Sequence, residues 1–375
     1  MAEKFSLKDE LFNEEKIHKI ASDIKEIFPS FNQLSFEQET LEKFPNLELK
    51  ERIYHIRDML QKYIALDYSD AIKLLLKSLP PPLDNQKNDN DFGDFIYASY
   101  ADFVVTFGCN REHLKVSLEA LREITKRFSV EFSIREFINQ FPKETLFMLE
   151  ACSLSNNYHE RRLATEGLRP KLPWAKKITI DYLTGMKLLD NLYMDNTRYV
   201  TRSIANHLND ISKINSVCVI ETLKRWKKSQ KQNDKEMKFI MTHALRSLVK
   251  KGNQEALSLL GYNSNVSVEL IEFRLEKTEI KVGENLEFSC VIKSKYNENL
   301  IIDYLIFFKT KTGKLAVKVY KLKKVILQKN KKITLLKKHL FKKNMTTRKF
   351  YRGEHQVALQ INGKVYAKRD FILEL

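Results

Sequence analysis

The residues best suited to chemistry lie between positions 156 and 174, where a short predicted helix runs into a segment with two prolines. Tyr158, Arg162 and Glu166 are spaced four apart, so one helix face carries a ring, a guanidinium and a carboxylate instead of an apolar stripe. We expect that face to meet water or a ligand, and a carboxylate there can stabilise positive charge that develops in a reaction. The alternative is a solvated helix end in which Arg162 and Glu166 only pair with each other.

The segment after this helix predicts a rigid basic loop. Gly167 stands where a left-handed residue would end the helix, and the two prolines that follow prevent it from resuming. The loop therefore holds two cations and an aromatic ring beside the helix: Arg169, Lys171 and Trp174. The alternative role for Trp174 is that of a core anchor for the loop.

Charge is concentrated in the last third of the chain. The formal net charge is +17, and the stretch 311–352 contains sixteen Lys or Arg and no Asp or Glu. Such a density of positive charge indicates a polyanionic partner, with nucleic acid first and an anionic membrane surface second.

Compartment and cofactors can also be predicted from the 375 residues. No apolar run approaches the roughly 18 residues of a membrane span, and the N-terminus lacks the apolar core of a signal peptide, so we expect a cytoplasmic protein. The cysteines lack metal-binding or disulfide-scaffold spacing, so we expect no metal and no cofactor; they are Cys109, Cys152, Cys218 and Cys290.

These residues must be positioned by helices through most of the chain. Apolar spacing predicts helices over 6–28, 35–44, 47–65, 69–79, 95–107 and 111–128, with a polar, mobile loop over 84–94. Ser35 and Gln38 are typical of a capping box.

A weak repeat follows. Residues 162–166, 202–206 and 242–246 align at an offset of 40, the period of HEAT-type helix pairs, which predicts an α-solenoid with a concave wall. Equivalent polar positions would line that wall, namely Arg162, Glu166, Arg202, Asn206 and Arg246, with Asp210 one turn beyond Asn206. One repeat earlier, Glu131 and Arg135 form an acid and guanidinium pair at i, i+4, which taken alone is more often a surface salt bridge.

After residue 263 the apolar period changes to two. Strands are predicted over 266–275, 279–293, 300–309, 315–327 and 332–340, and a final hairpin over 357–373 has Asn362-Gly363 as its type I′ turn. The prediction is a multidomain chain, α then β: a HEAT-like α-solenoid over 1–262 and an immunoglobulin-like β-sandwich over 264–375.

Two motifs carry a family resemblance. Arg-Arg-Leu-Ala-Thr-Glu-Gly-Leu-Arg-Pro-Lys-Leu-Pro-Trp over 161–174 and Ser-Ile-Ala-Asn-His-Leu-Asn-Asp-Ile-Ser over 203–212 resemble the AlkC family of bacterial alkylpurine DNA glycosylases, within the HEAT-like repeat superfamily that includes AlkD. The resemblance extends over the helical part almost from its start, and family members with a C-terminal immunoglobulin-like domain exist. It departs at Thr165, where many members have Ser, and at 133–136, where Ala and Pro are common.

The resemblance implies a monofunctional DNA glycosylase that acts, as a monomer, on 3-methyladenine and 3-methylcytosine in duplex DNA without extruding the base. It implies that Glu131 and Glu166 are catalytic. We further expect Trp174, Asp210 and Tyr158 to contact the lesion. The residues expected to bind DNA are Arg161, Arg162, Arg169, Lys171, Arg202, Asn206 and Arg246, together with the basic β-domain.

An N3-methylated base is already cationic and leaves as a neutral molecule, so the enzyme need not protonate it. A carboxylate about 4 Å from the oxocarbenium-like sugar contributes on the order of 4 kcal/mol at an effective dielectric near 20. Two other classes stay open: a non-catalytic HEAT scaffold that binds DNA or a protein, and a membrane-surface protein that uses the basic β-domain.

Overall fold

The structure is a computed structural model that describes residues 6–84, 86, 89, 92–346 and 348–375. The chain forms two compact units. One comprises residues up to Ile214 together with Trp226–Ala244, and the other comprises Asn215–Arg225 and Leu245–Leu375. Helices give way to strands between Leu259 and Val268. The domain boundary at 262–264 stays a prediction, since the compact division falls elsewhere.

Helices fill the chain from residue 7 to residue 259. They are α1 (Leu7–Leu11), α2 (Glu14–Ile27), α3 (Gln33–Lys43), α4 (Leu49–Ile64), α5 (Tyr68–Lys77), α6 (Ala98–Gly108), α7 (Leu114–Ile124), α8 (Ile134–Gln140), α9 (Pro142–Ser153), α10 (Tyr158–Glu166), α11 (Met186–Leu192), α12 (Arg198–Ile211), α13 (Ser216–Ser229), α14 (Asp234–Ala244), α15 (Arg246–Lys250) and α16 (Gln254–Leu259). None of these helices is long and apolar enough to cross a bilayer, as far as the described residues go.

Side-chain caps decide several helix starts. Asn13 accepts a hydrogen bond from the Lys16 N–H, so the predicted helix over 6–28 is divided into α1 and α2. The side chain of Asn32 caps α3, and the prediction of a capping box that begins at Ser35 is therefore wrong. A capping box does start α4, where Glu48 and Glu51 form it.

The repeat predicted from the 40-residue offset is a HEAT-like stack of helices. α10 packs against α12, and α12 packs against α14. The apolar positions Val200, Ile204 and Leu208 on α12 are fully buried. The register drifts, because α10 and α12 begin at residues 158 and 198 whereas α14 begins at residue 234.

The predicted loop over 84–94 lies partly outside the described residues. Its described end is anchored, because Gly93 forms an isolated antiparallel bridge with Phe128. Gly93 has φ +76°, and a Cβ there would lie 1.7 Å from the Arg127 carbonyl oxygen. Next to this bridge, the Ser129 N–H donates to the Phe92 carbonyl oxygen at 3.3 Å.

The C-terminal part is an immunoglobulin-like β-sandwich. Its strands are β1 (Val268–Leu275), β2 (Glu279–Lys281), β3 (Asn285–Ser294), β4 (Glu298–Lys309), β5 (Leu315–Leu327), β6 (Lys332–Leu340), β7 (Gly353–Ile361) and β8 (Lys364–Glu374). They form a three-stranded sheet β1-β3-β6 and a five-stranded sheet β2-β8-β7-β4-β5. Inward-facing residues of both sheets share one core, which includes Phe288, Tyr304 and Leu359.

Turn residues set the registers of this sandwich. The predicted strand over 279–293 is divided into β2 and β3 by Gly283, which has φ +106°. The β7–β8 hairpin turns at Asn362 and Gly363, whose φ values of +43° and +80° confirm the predicted left-handed turn.

Candidate active site

The helix α10 is buried along the face that the sequence predicts to meet water or a ligand. Tyr158, Arg162 and Glu166 are 2%, 6% and 5% exposed. The face therefore does not meet bulk water, and the alternative of a solvated helix end is wrong; that the face meets a ligand stays a prediction. These polar groups can be buried because neighbouring helices supply a partner for each charge.

Arg162 joins two carboxylates. Its Nη1 donates to Glu131 Oε2 at 3.0 Å and to the Ser129 hydroxyl, and its Nη2 lies 4.0 Å from Glu166 Oε1. The guanidinium carbon lies 4.4 Å from the centroid of the Tyr199 ring. Burial alone would lower the pKa of Arg162, but the neighbouring carboxylates, Glu131 foremost, raise it above its usual range. Arg162 is therefore a permanent cation.

Glu166 ends α10 and has both carboxylate oxygens occupied. Oε1 accepts from Arg169 Nη1 at 2.5 Å, and Oε2 accepts from the Ser203 hydroxyl at 2.5 Å. Burial alone would raise the pKa of Glu166, but Arg162, Arg169 and the hydrogen bond from Ser203 hold that pKa below its usual value. Glu166 is thus an anion that is kept ionised inside the protein.

Asp210 on α12 completes the arrangement. Its Oδ2 accepts from Arg169 Nε and Nη2, each at 3.0 Å, and its Oδ1 accepts from Lys213 Nζ at 3.1 Å. Asp210 is 2% exposed. Arg169 therefore links the end of α10 to α12 through two carboxylates.

We call Glu131, Arg162, Glu166, Arg169 and Asp210 the acid cluster. Its members come from the turn before α8, from α10, from the segment after α10 and from α12. Three carboxylates alternate with two guanidinium groups in a largely buried setting, so charges in the cluster are weakly screened. Such an arrangement can stabilise a cation at its surface.

Arg135 does not pair with Glu131, contrary to the i, i+4 interpretation. Glu131 lies in a turn before α8, so the two residues do not share a helix face. Arg135 is 1% exposed, and its Nη1 donates to the carbonyl oxygens of Gly167 and Arg169 at 2.9 Å each. Burial lowers the pKa of Arg135 to about 10. Arg135 thus fixes the backbone on which Arg169 is carried.

Gly167 is helical, with φ −60° and ψ −35°, so the prediction of a left-handed helix end there is wrong. Lack of space explains why residue 167 is glycine, because a Cβ would lie 2.8 Å from Ile134 Cγ2.

The left-handed residue in this segment is Trp174, with φ +62°. Its side chain is 87% exposed, which excludes the alternative role of a core anchor. Lys171 is also exposed.

The other residues predicted to contact the lesion or DNA do not belong to the acid cluster. Tyr158 packs against Tyr199 at 5.9 Å between ring centroids, so it supports Arg162 from within the protein rather than at a surface. Arg161 Nε donates to Asp195 at 2.5 Å, and Arg202 pairs with Asp89. Asn206 Oδ1 lies 2.9 Å from His243 Nε2. Arg246 is half-buried in the other compact unit and is not grouped with the acid cluster.

Several site residues escape sequence reasoning. Ser129, Tyr199 and Ser203 contact charged members of the acid cluster, yet neither type nor spacing separates them from ordinary core residues. Ser203 had one usable signal, since it stands beside Arg202 in the repeat motif.

The basic stretch 311–352 is mostly solvent-exposed, on β5, on β6 and in the segment after β6. Within its described residues the ion pairs are Lys338 with Glu287 at 2.9 Å and Arg352 with Glu374 at 2.7 Å. β5 is one of the two edge strands of its sheet and pairs with β4. The surface therefore offers many cations that no carboxylate neutralises.

Comparison with known proteins adds three findings. The family model described as "Uncharacterised protein YhaZ, C-terminal Ig-like domain" matches residues 269–375. The uncharacterized protein YhaZ of Bacillus subtilis (strain 168) is 32% identical over 366 residues, which cover 96% of this chain and 98% of that protein. A solved structure of the Pseudomonas fluorescens alkylpurine DNA glycosylase AlkC, bound to DNA containing an abasic site analog, is similar with a TM-score of 0.87 and 31% identity. That match covers 99% of this chain and 100% of the other.

Proposed function

The chain belongs to the family of YhaZ and the alkylpurine DNA glycosylase AlkC, and from that premise we propose that it is a DNA repair glycosylase acting on alkylated bases in duplex DNA. The observation that carries this proposal is the acid cluster. Its carboxylates are buried and paired with arginines, and the pKa of Glu166 is held below its usual value. Burial of this much charge is costly, so a functional reason for it is favoured over a structural one.

The substrates that match this site are nucleotides whose base is already cationic before it leaves, such as those of 3-methyladenine and 3-methylcytosine. A carboxyl group with a lowered pKa is a poor proton donor at neutral pH, so Glu166 is unsuited to general acid catalysis. It is suited to stabilising positive charge on the sugar. Neutral modified bases, which need protonation to leave, should therefore be poor substrates.

The reaction breaks the bond between the base nitrogen and sugar C1′, and the bonding electron pair stays on the nitrogen. The base leaves as a neutral molecule and the sugar carries the positive charge. Glu131 and Glu166 stabilise that charge, and one of them orients a water whose oxygen bonds to C1′. One water proton passes to a carboxylate and then to solvent, which leaves an abasic site.

Neither a cofactor nor a lysine nucleophile takes part in this scheme, which makes the enzyme monofunctional. Lys213, next to the acid cluster, is tied to Asp210 by an ion pair of 3.1 Å. Trp174 and Lys171 are exposed in the segment that follows Arg169, and the proposal assigns to them the contacts with the lesion nucleotide and with phosphate. Arg162 and Arg169 hold the carboxylates, which explains why they are turned inward.

DNA binding would be shared by the helical region and the β-domain. The basic stretch 311–352 is the part of the sandwich best suited to contact phosphates. The chain would act as a monomer in the cytoplasm and recognise the lesion without extruding the base.

The test is release of free base from an alkylated duplex by the purified protein. We expect 3-methyladenine and 3-methylcytosine to appear, with abasic sites in equal amount and no strand cleavage. Glu166→Gln serves as the control for contaminating activities. Duplex binding without any base release would favour the non-catalytic scaffold, and liposome binding as strong as duplex binding would favour a membrane-surface protein.

A further inference from the structure

Two buried hydroxyl groups form a short hydrogen-bonded chain that ends on Glu166. Thr165 Oγ1 lies 2.7 Å from Ser203 Oγ, and Ser203 Oγ donates to Glu166 Oε2 at 2.5 Å. Thr165 and Ser203 are 0% and 2% exposed. This hydrogen-bonded chain connects α10 to α12 inside the protein.

The direction of these hydrogen bonds follows from counting protons. The Ser203 hydroxyl has one proton, and an ionised carboxylate can only accept, so that proton points at Glu166. The Thr165 hydroxyl must therefore donate to the Ser203 oxygen. A threonine hydroxyl in a helix commonly donates to the carbonyl oxygen one turn back. The Thr165 hydroxyl instead donates to Ser203 on the neighbouring helix α12.

The backbone of Thr165 is held by the same neighbouring helix. His207 Nδ1 lies 3.0 Å from the Thr165 carbonyl oxygen, so Nδ1 carries the proton and donates. Burial lowers the pKa of His207 to about 4, and the ring is neutral at physiological pH. Gly185 lies against this ring, because a Cβ there would be 2.9 Å from His207 Cε1. Ser203 and His207 therefore fix the side chain and the backbone at the end of α10.

We propose that Ser203 and Thr165 are positioning residues that hold Glu166 as an oriented anion. Arg169 holds Oε1 and Ser203 holds Oε2, so the plane of the carboxylate is set from two sides. Loss of the Ser203 hydroxyl would free one oxygen to rotate and would remove a charge-assisted hydrogen bond. The expected effect on the excision rate rests on the proposed function, whereas the expected effect on the ionisation of Glu166 does not.

Other charged and titratable groups near Glu166 also influence its pKa, in the wild type and in the variants alike. They are Arg162 on α10, Arg169 after it, Arg135 on α8, and Tyr199, His207 and Asp210 on α12, with Glu131 beyond Arg162. None of these groups is changed in the variants below.

The sign of the effect follows from linkage. A carboxyl group whose folded pKa is lowered contributes stability above its unfolded pKa, and that stability is lost as pH falls through the folded pKa. Ser203→Ala removes a hydrogen bond to the ionised form, so the folded pKa of Glu166 rises. The loss of activity on acidification then begins at a higher pH. The loss of stability still begins at the unfolded pKa, but it becomes smaller and is complete at a higher pH.

The experiment compares the wild type, Ser203→Ala and Thr165→Val by single-turnover excision and by the free energy of unfolding, each as a function of pH. We expect Ser203→Ala to slow excision about tenfold and to move the acid limb of the excision profile upward by about one pH unit. It should also make the loss of unfolding free energy on acidification smaller by about 1.4 kcal/mol, the equivalent of one pKa unit. Thr165→Val should have both effects to a smaller degree, and Thr165→Ser should behave like the wild type. If Ser203→Ala does not fold, Thr165→Val and Thr165→Ser carry the comparison.

The matched control is Ser212→Ala, which removes a buried hydroxyl next to α12 that donates to the Asn209 carbonyl at 2.8 Å and not to a carboxylate. It should lower stability without changing the acid side of either profile. In a Glu166→Gln background, Ser203→Ala should no longer move the unfolding profile. The proposal is overturned if Ser203→Ala lowers stability and leaves the acid side of both profiles unchanged. If the wild type releases no base, the proposed function fails, and the unfolding profiles alone still decide the role of Ser203.

Discussion

At the scale of single residues, Glu131 and Glu166 differ in how firmly they are held. Glu131 is bound through Arg162, and its side chain is 13% exposed. Glu166 is bound by Arg169 and Ser203, and its side chain is 6% exposed. The better exposed carboxylate is the more accessible to water, and the buried one is the more constant source of negative charge.

Replacing either acid by glutamine should test the catalytic assignment. Glu131→Gln and Glu166→Gln keep the size of the side chain and remove its charge, so excision should slow by a factor of about a hundred or more while duplex affinity stays close to that of the wild type. Single-turnover rates and equilibrium binding to the same oligonucleotide measure the two effects. Asp195→Asn, which removes the partner of Arg161, is the control for loss of a buried carboxylate outside the acid cluster. Wild-type rates in both glutamine variants would remove these acids from the mechanism.

Trp174 should affect activity but not stability. Its ring is 87% exposed, so Trp174→Ala removes little buried area and the melting temperature should stay within about two degrees of the wild type. If the ring stacks on the lesion nucleotide, excision or lesion binding should weaken by roughly 1 to 3 kcal/mol. Both quantities are measured on one preparation, with Phe147→Ala as the control because Phe147 is 77% exposed on α9. Equal behaviour of the two variants would exclude a lesion contact by Trp174.

For single residues, the sequence predicts which side chains to single out better than it predicts their burial. Glu166, Arg162 and Asp210 could be picked out because charged residues recur at helical spacing, but their burial could not. A face with a ring, a guanidinium and a carboxylate is polar in isolation, and it becomes buried only because Glu131, Arg169 and Ser203 arrive from other parts of the chain. Such pairing across elements leaves no pattern in the local sequence.

At the scale of elements, helices and strands follow the apolar period, whereas their ends depend on single caps and turns. The strands β5 and β6 have the predicted bounds. The predicted helix over 6–28 is divided because Asn13 caps a new helix, and the predicted strand over 279–293 is divided at Gly283. Periodicity alone cannot resolve a one-residue interruption.

The β7–β8 turn provides a test of close packing at an element's end. Gly363 has φ +80°, and a Cβ there would lie 2.5 Å from Gly252 Cα, just after α15. Gly363→Ala should therefore lower the free energy of unfolding by clearly more than the roughly 1 kcal/mol expected from an unfavourable φ alone. Gly313 has the same φ with nothing within 4 Å, so Gly313→Ala is the matched control for backbone strain. Equal losses in urea unfolding would mean that the backbone relaxes at Gly363 and that the close approach is not essential.

At the scale of the whole molecule, charge is distributed unevenly between the acid cluster and the β-domain. The helical unit keeps its site carboxylates paired, while the stretch 311–352 carries sixteen basic residues and no acidic ones. Under the proposed function, the basic stretch would attract the polyanion and the acid cluster would stabilise the cationic centre. The sequence predicts this division because charge counts do not depend on knowing the fold.

The basic stretch should determine how duplex binding depends on salt. Changing Lys314, Lys318, Lys323 and Lys329 to Gln removes four exposed cations without touching Lys321 and Lys324, which lie near the buried Asp303. If all four contact phosphates, the slope of log affinity against log salt should fall by up to about 3.6, because each phosphate contact contributes about 0.9. A second variant with Lys277, Lys281, Lys293 and Lys295 changed to Gln has the same net charge but lies outside the basic stretch. A loss of slope in the first variant and a smaller one in the second would assign DNA binding to the basic stretch. Equal slopes would mean that only net charge matters, and an unchanged slope in the first variant would mean that this surface does not contact DNA.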